Sequence, residues 1–229
     1  AYLVAKEDLV LSGKELFNQS FQFLDPHCEI QWSFDDGSWV LKGQTLAQIH
    51  GSLQSILKAE RVALNFLGFL SGIASFTKKF VDACGETSTR ILDTRKTLPL
   101  YRESCKKAVT HGGGHNHRMN LSSALLIKEN HMSLAGGMGE AIARIRKNCD
   151  APIEVEVKNL NEVDQALHWQ VDRIMLDNMD NKTMEQALKK IPNSVKTEAS
   201  GNMSLERIPQ VAALGVDYIS VGALTHSAP

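Results

Sequence analysis

Residues 153–202 read IEVEVKNLNEVDQALHWQVDRIMLDNMDNKTMEQALKKIPNSVKTEASGN. Three short β-prone runs, IEVEVKN, DRIMLDNM and VKTEASGN, alternate here with two helical stretches, NLNEVDQALHW and NKTMEQALKKI. Parallel neighbours in a sheet need a long crossover and a helix supplies it, so the alternation predicts consecutive parallel βαβ units. The same design extends in both directions. RILDTRK begins at residue 90, ALLIKENH at 124 and DYISVGAL at 217. From 124 onward the runs start 29, 19, 23 and 22 residues apart, room for one strand, one helix and two loops each. The first gap, 34 residues, also carries a glycine-rich loop. Such a succession predicts a (β/α) barrel rather than a doubly wound sheet.

Every run ends in polar or small residues: Asp93-Thr94-Arg95-Lys96, Lys128-Glu129-Asn130-His131, Glu154 and Glu156, Asp177-Asn178, Glu198-Ala199-Ser200-Gly201, and Ser220-Val221-Gly222. Charges serving solubility alone would scatter over the helices. Charges at the C-terminal ends of successive barrel strands converge on one mouth, where barrel active sites lie. Glu154 and Glu156 stand two apart and so share one face of their strand, which in a barrel is the interior. Lys128 sits in an apolar run, which predicts burial. His131 reads as a cap for the following helix, and His226 as structural or interfacial.

Upstream, the first sixty residues alternate in short runs. EIQWSF and SWVLKG flank DDG, which predicts a β-hairpin. A biotinyl or lipoyl carrier would need a lysine at a hairpin tip, and none stands there, so residues 1–60 read as a structural, β-rich domain. LKAERVALNFLGFLSGIASFTKKFVDACG then spaces Leu57, Val62, Leu64, Phe66, Leu67, Leu70, Ile73, Ala74, Phe76, Phe80 and Val81 for a helix buried on more than one side, ended at Cys84-Gly85. Arg61 lies on this apolar helix and by position alone reads as a surface arginine. Residues 61–229 are expected to hold the connecting helix and the barrel.

The 229 residues are 43% hydrophobic and 22% charged, enough to bury a sizeable core. A formal net charge of −1 exerts no global pull toward nucleic acid or a membrane surface. No apolar run reaches the ~18 residues of a membrane span, and no signal-peptide pattern opens the chain. The opening AYLVAKEDLV reads as strand interior, as in a trimmed N-terminus. Cys28, Cys84, Cys105 and Cys149 are far apart with no C-x-x-C pair, the usage expected of reduced thiols in a cytoplasmic protein.

Residues 110–131, THGGGHNHRMNLSSALLIKENH, hold four of the eight histidines around three glycines. A zinc site would need three or four ligands in closed geometry, and Arg118 adjoins the histidines, a cation beside a cation. An esterase oxyanion loop needs a G-x-S-x-G elbow, which is absent; GFLSG has the wrong register. The remaining reading is an anion site. Glycines permit sharp turns and close backbone approach, and the loop would deliver His117-Arg118 toward Arg95-Lys96 and Lys128. Arginine's planar fork suits carboxylates, and lysine serves as a point charge. Several cations in one pocket repel unless a polyanion is their partner.

The ordered motifs ILDTRKTLP, GGGHNHRMNL, LIKENH, IEVEV, IMLDN, EASGN and GVDYISVGALTHSAP, with LKAERVALNFLGFLSGIAS upstream, resemble the quinolinate phosphoribosyltransferase family along the whole chain. The resemblance implies a type II phosphoribosyltransferase fold: an N-terminal α/β sandwich-like domain followed by an incomplete parallel (β/α) barrel. It also implies residues before this chain's start and a short tail after its end. The family joins quinolinate, a pyridine dicarboxylate, to phosphoribosyl pyrophosphate, giving nicotinate mononucleotide, pyrophosphate and carbon dioxide for de novo NAD synthesis, with magnesium required.

On matching positions, Arg95, His117 and Arg118 resemble the quinolinate clamp. Lys96 and Lys128 resemble the lysines contacting quinolinate and the pyrophosphate donor. Glu156 and Asp177 resemble the acidic pair facing ribose and magnesium, a hard cation that takes oxygen ligands. Lys96, Lys128, Glu156 and Asp177 form the expected catalytic set. Ser200-Gly201-Asn202 and Gly222-Ala223 resemble the loops holding the 5′-phosphate. Arg61 resembles an arginine inserted into a neighbouring subunit's site, which implies a homodimer, alone or stacked into a hexamer. Two departures stand out. Thr97-Leu98-Pro99-Leu100 replaces the more usual T-T-P-G, and Thr110-His111 precede the glycines where members carry Arg or Leu and then Cys. His111 and His115 therefore read as loop residues. A transferase of the same fold acting on another base remains open, as does a non-catalytic carrier, which would have no need of the charged mouth.

Overall fold

In the computed structural model, which describes residues 1–228, the chain forms two compact units. The first comprises Ala1–Val81, Lys96–Asn116 and the C-terminal residues from Gly222; the second comprises Asp82–Arg95 and His117–Val221. Elements run in chain order β1 (Tyr2–Val4), β2 (Leu9–Val10), α1 (Lys14–Gln22), β3 (Glu29–Trp32), β4 (Trp39–Val40), β5 (Thr45–His50) and α2 (Leu53–Ala83). Then follow β6 (Arg90–Leu92), α3 (Arg102–His111), β7 (Leu125–Ile127), α4 (Glu129–Ala135), α5 (Met138–Arg146), β8 (Ile153–Val157) and α6 (Leu160–His168). The last are β9 (Arg173–Asp177), α7 (Asn181–Lys190), β10 (Lys196–Ser200), α8 (Ile208–Ala213), β11 (Tyr218–Ser220) and α9 (Ala223–His226).

In the first unit β1, β5 and β3 form an antiparallel sheet, and β2 pairs separately with β4. Phe17 and Phe21 of α1, Leu46 and Ile49 of β5, and Ala59, Ala63 and Leu67 of α2 share one apolar core. The expected hairpin across DDG does not form. β3 pairs with β5 and β4 with β2. The turn itself exists, since Ser38 N–H donates to the Asp35 carbonyl, but its carboxylates are engaged elsewhere. Asp36 accepts the Lys14 backbone N–H at the start of α1, and Asp35 accepts Lys14 Nζ at 2.8 Å. The six residues of β5, with Leu46, Ala47 and Ile49 buried, offer a better pairing surface than the two residues of β4.

In the second unit six parallel strands run in the order β6-β11-β10-β9-β8-β7. From β7 to β11 each strand neighbours its successor, and β6, the first, pairs with β11, the last, which is the cyclic order of a barrel and not that of a doubly wound sheet. Among the described residues β6 and β7 are unpaired with each other, so the barrel is incomplete. The break falls at the longest strand-to-strand gap in the sequence. Period-two alternation sorts the side chains. Ile153, Val155 and Val157 of β8, Ile174 and Leu176 of β9, Ala199 of β10 and Ile219 of β11 are buried, as are the helix residues Ile142, Val163, Ala166, Met184, Ala187, Ile208 and Val211. The opposite face carries Glu154, Glu156, Arg173, Asp177, Glu198, Ser200 and Ser220. Helix starts after β8 and β9 are fixed by side chains: Asn159 accepts the Glu162 N–H at 3.0 Å and Asp180 accepts that of Thr183 at 2.7 Å.

Candidate active site

The interior face of the open barrel holds two polar layers. The deeper one is centred on His117. Its Nε2 lies 3.2 Å from Glu154 Oε2 and 3.5 Å from Glu198 Oε2. Glu198, fully buried, also accepts the Ser220 hydroxyl and the Arg173 guanidinium at 3.3 Å. The backbone N–H of His117 donates to buried Asp93 at 2.9 Å, which anchors the chain as it enters this layer. Burial favours neutral carboxyls. At Glu154 it wins, and the group lies above its ordinary value. At Glu198, contacts from His117, Ser220 and Arg173 outweigh burial, and the carboxyl lies below it. Burial alone would discharge the His117 ring, but the two carboxylates overcome that and push it up to about 9. The donor atoms of His117, Glu154 and Glu198 fall within 4.8 Å of one another, as metal ligands would. Arg173, 3.3 Å from Glu198 and 4.0 Å from Glu154, already supplies the cation there, so the cluster reads as an ion-pair layer.

The upper layer lies at the C-terminal strand ends. Lys128, just past β7, pairs with Glu156 of β8; its side chain is 44% exposed, less buried than its apolar run predicts, because the ammonium reaches out to that carboxylate. Asp177 ends β9 in register with Ser200 at the end of β10. Arg118 is half-buried, and burial followed by the charge of Arg95 lowers its pKa. Its Nη1 donates to the Ala124 carbonyl at 3.3 Å. Arg95, His117, Arg118, Lys128, Glu156, Asp177, Ser200, Gly201 and Asn202 thus all belong to the second unit. His131 caps α4, accepting the Lys128 N–H at 3.1 Å.

Arg61, Lys96, Gly222 and Ala223 belong to the first unit. The Lys96 carbonyl accepts Thr225 Oγ1 at 2.7 Å, and a Cβ on Gly222 would lie 3.5 Å from Lys96 Cδ, so these positions are neighbours. Arg61 is exposed on α2 beside Val62, which is 52% exposed.

The triple glycine serves packing as well as loop shape. A Cβ at Gly112 would sit 2.3 Å from the Ala74 carbonyl, and one at Gly114 would sit 2.7 Å from Thr77. Only glycine lets this loop lie against α2. His111 is held in the same unit by Ser12 Oγ at 2.8 Å, while His115 is exposed.

Comparison with known proteins gives the family of both parts of the chain. The quinolinate phosphoribosyl transferase N-terminal domain family matches residues 1–71, and the C-terminal domain family matches residues 73–229. The chain belongs to the quinolinate phosphoribosyltransferase family. Among its relatives, a probable nicotinate-nucleotide pyrophosphorylase [carboxylating] of Synechocystis is 43% identical over 96% of the chain and 76% of the relative. The chloroplastic nicotinate-nucleotide pyrophosphorylase [carboxylating] of Arabidopsis thaliana is 40% identical over 99% of the chain and 70% of the relative. The solved nicotinate-nucleotide pyrophosphorylase of Francisella tularensis superposes with a TM-score of 0.97 at 39% identity, covering 100% of this chain and 82% of that one.

Within this quinolinate phosphoribosyltransferase-family barrel, sequence reasoning passed over Asp93, Arg173, Glu198 and Asn178 as site residues. Asp93, Glu198 and Asn178 stand at the ends of β-prone runs, the signal used for their neighbours. Arg173 stands near the start of its run, and only the register Glu154↔Arg173 between β8 and β9 brings it to the cluster.

Proposed function

We propose that this chain catalyses the carboxylating reaction of its family: phosphoribosyl transfer from phosphoribosyl pyrophosphate to quinolinate, giving nicotinate mononucleotide, pyrophosphate and carbon dioxide, in de novo NAD synthesis. One observation carries the reading. Arg118 is half-buried, and burial first and then the like charge of Arg95 lower its pKa, so two guanidinium groups are gathered in one partly dry place. Like charges so gathered favour an anionic ligand, and a dicarboxylate with a phosphorylated donor is one.

In this reading Arg95, His117 and Arg118 hold the two carboxylates and point the pyridine nitrogen at the anomeric carbon, so most of the rate gain is positional. The new N–C bond forms as the bond to pyrophosphate breaks. Glu156 and Asp177 stabilise the positive charge developing on the ribose. Lys96 and Lys128 meet the departing pyrophosphate; Lys128 exchanges its Glu156 partner for it. The quaternised ring then accepts the electron pair of the C2–carboxylate bond, carbon dioxide leaves, and a solvent proton takes its place. Ser200-Gly201-Asn202 and Gly222-Ala223 hold the 5′-phosphate. The oxygen donors Glu156 and Asp177 fit magnesium, which would neutralise pyrophosphate charge when bound.

The same proposal includes a homodimer, alone or stacked as a hexamer, in which Arg61 completes the partner's site. The exposed Leu53, Leu57 and Val62 on α2 support a covered face there. No described helix is long and apolar enough to cross a membrane, and the four cysteines are free thiols; a cytoplasmic setting is part of the proposal. The test is product formation from phosphoribosyl pyrophosphate with quinolinate, nicotinate or nicotinamide supplied separately. Turnover with quinolinate alone is expected. Turnover with nicotinate or nicotinamide and none with quinolinate would replace this reading with a transferase for another base.

A further inference from the structure

The loops after β9 and β10 are fastened to each other through one side-chain amide. Asn178 Nδ2 donates to Asp177 Oδ2 at 2.9 Å. Its Oδ1 accepts from Asn202 Nδ2 at 3.1 Å. Its backbone N–H donates to the Ser200 carbonyl at 2.9 Å. The orientation of the amide is set by its partners, because a carboxylate only accepts and the Asn202 NH2 only donates. A Cβ on Gly201 would lie 2.2 Å from Asn178 Oδ1, so only glycine leaves room for the amide. Arg207 closes the arrangement from behind, donating to the Gly201 carbonyl at 3.2 Å and to the Met179 carbonyl at 2.5 Å.

The backbone is bent to make this possible. Asn178 (φ 54), Gly201 (φ 90) and Asn202 (φ 50) all occupy the left-handed region. Asparagine tolerates that region better than other residues with a Cβ, but it still costs free energy there, and such residues cluster where geometry must be held. A turn alone would be served by glycine at either asparagine. The side chains add a relay: Asn202 to Asn178 to Asp177.

We infer that Asn178 is a positioning residue for phosphoribosyl transfer, its amide fixing the spacing between the Asp177 carboxylate and the Ser200–Asn202 loop. The inference rests on the reading of those two groups as the partners of the ribose and of its 5′-phosphate. Both belong to one rigid substrate fragment, so a fixed spacing between their receptors pre-organises the site for the donor. Quinolinate, held by Arg95, His117 and Arg118, lies outside the relay.

Glycine substitutions separate the amides from the backbone, because glycine keeps positive φ without strain. The series is Asn178→Gly, Asn202→Gly and the double variant. Wild-type kinetics come first; absence of wild-type turnover with every pyridine base would sink the functional reading itself. With turnover established, Asn178→Gly should lower kcat/KM for phosphoribosyl pyrophosphate by about tenfold, the scale of one hydrogen bond to a charged group. Calorimetric affinity for quinolinate should stay within about twofold. Asn202→Gly should show a smaller loss, and the double variant should match Asn178→Gly, because both amides belong to one chain of hydrogen bonds. Donor kinetics unchanged in Asn178→Gly, strictly multiplicative losses in the double variant, or equal losses for donor and quinolinate would each overturn the inference. Hydrogen exchange at the Gly201 and Asn202 amides needs no substrate. It should accelerate in Asn178→Gly, and unchanged exchange would refute the relay even if the functional reading had failed.

Discussion

Raising the pH from about 6 to about 10 should take one proton from His117 at about pH 9, well above its ordinary 6.5. The ring is set between two demands. Its Nε2 faces the Glu154 and Glu198 carboxylates at 3.2 and 3.5 Å, which favours the imidazolium. Its Nδ1 stands 2.7 Å from the Arg118 backbone N–H, an arrangement that needs a neutral ring. Two carboxylates this close in a buried setting attract the imidazolium more than one neutral hydrogen bond favours the neutral ring, so the imidazolium should prevail and the Arg118 amide should lose that acceptor. The distance from 6.5 to about 9 corresponds to about 3 kcal/mol as an upper bound. The folded ring binds its proton more tightly than the unfolded one. The stabilisation is therefore complete below pH 6.5 and is lost as pH rises through about 9. A nitrogen-15 titration of labelled histidine reads the ring directly, with the signal assigned through His117→Gln. Replacing Glu198 with glutamine should lower the midpoint by about one pH unit, since one of the two opposing charges is gone. A wild-type midpoint at or below 6.5, or a midpoint indifferent to Glu198→Gln, would show that the amide bond and burial govern the ring, and the reasoning would fail.

Gly112→Ala puts a methyl group 2.3 Å from the Ala74 carbonyl of α2. The backbone must give way at a cost of about 1–3 kcal/mol, and melting should fall by roughly 2–12 °C for a chain of this size; an unchanged melting temperature would remove the packing argument. Arg118→Lys keeps the charge but loses the planar fork, so calorimetry should show quinolinate binding weakened by about 1–3 kcal/mol. Wild-type affinity in that variant would reject the clamp. Arg61→Ala and Asp177→Asn, each expected to be inactive alone, should regain about one active site per mixed dimer after subunit exchange, because a two-fold interface leaves one site carrying neither substitution. Continued inactivity in demonstrated heterodimers would return Arg61 to its own subunit.

By itself the sequence determined the repeat of strand and helix, the long apolar helix, and the collection of charge at strand ends. These depend on local periodicities of 2 and 3.6 residues, which any stretch carries within itself. The family motifs were legible for the same reason, being short and ordered along the chain. Tertiary structure decided what depends on which elements meet. EIQWSF and SWVLKG flank a genuine turn, yet the better surface for β3 is β5, and no local pattern ranks a near partner against a distant one. The glycines of residues 112–114 looked like ligand-facing freedom, and two of them turned out to make room for α2. Glu154 and Glu198 were visible as strand residues, but their opposite pKa directions arise from His117, Ser220 and Arg173 brought to them across the barrel interior. Alternation says which face a side chain takes. Only the strand register says which charges share that face, and electrostatic energy depends on that separation.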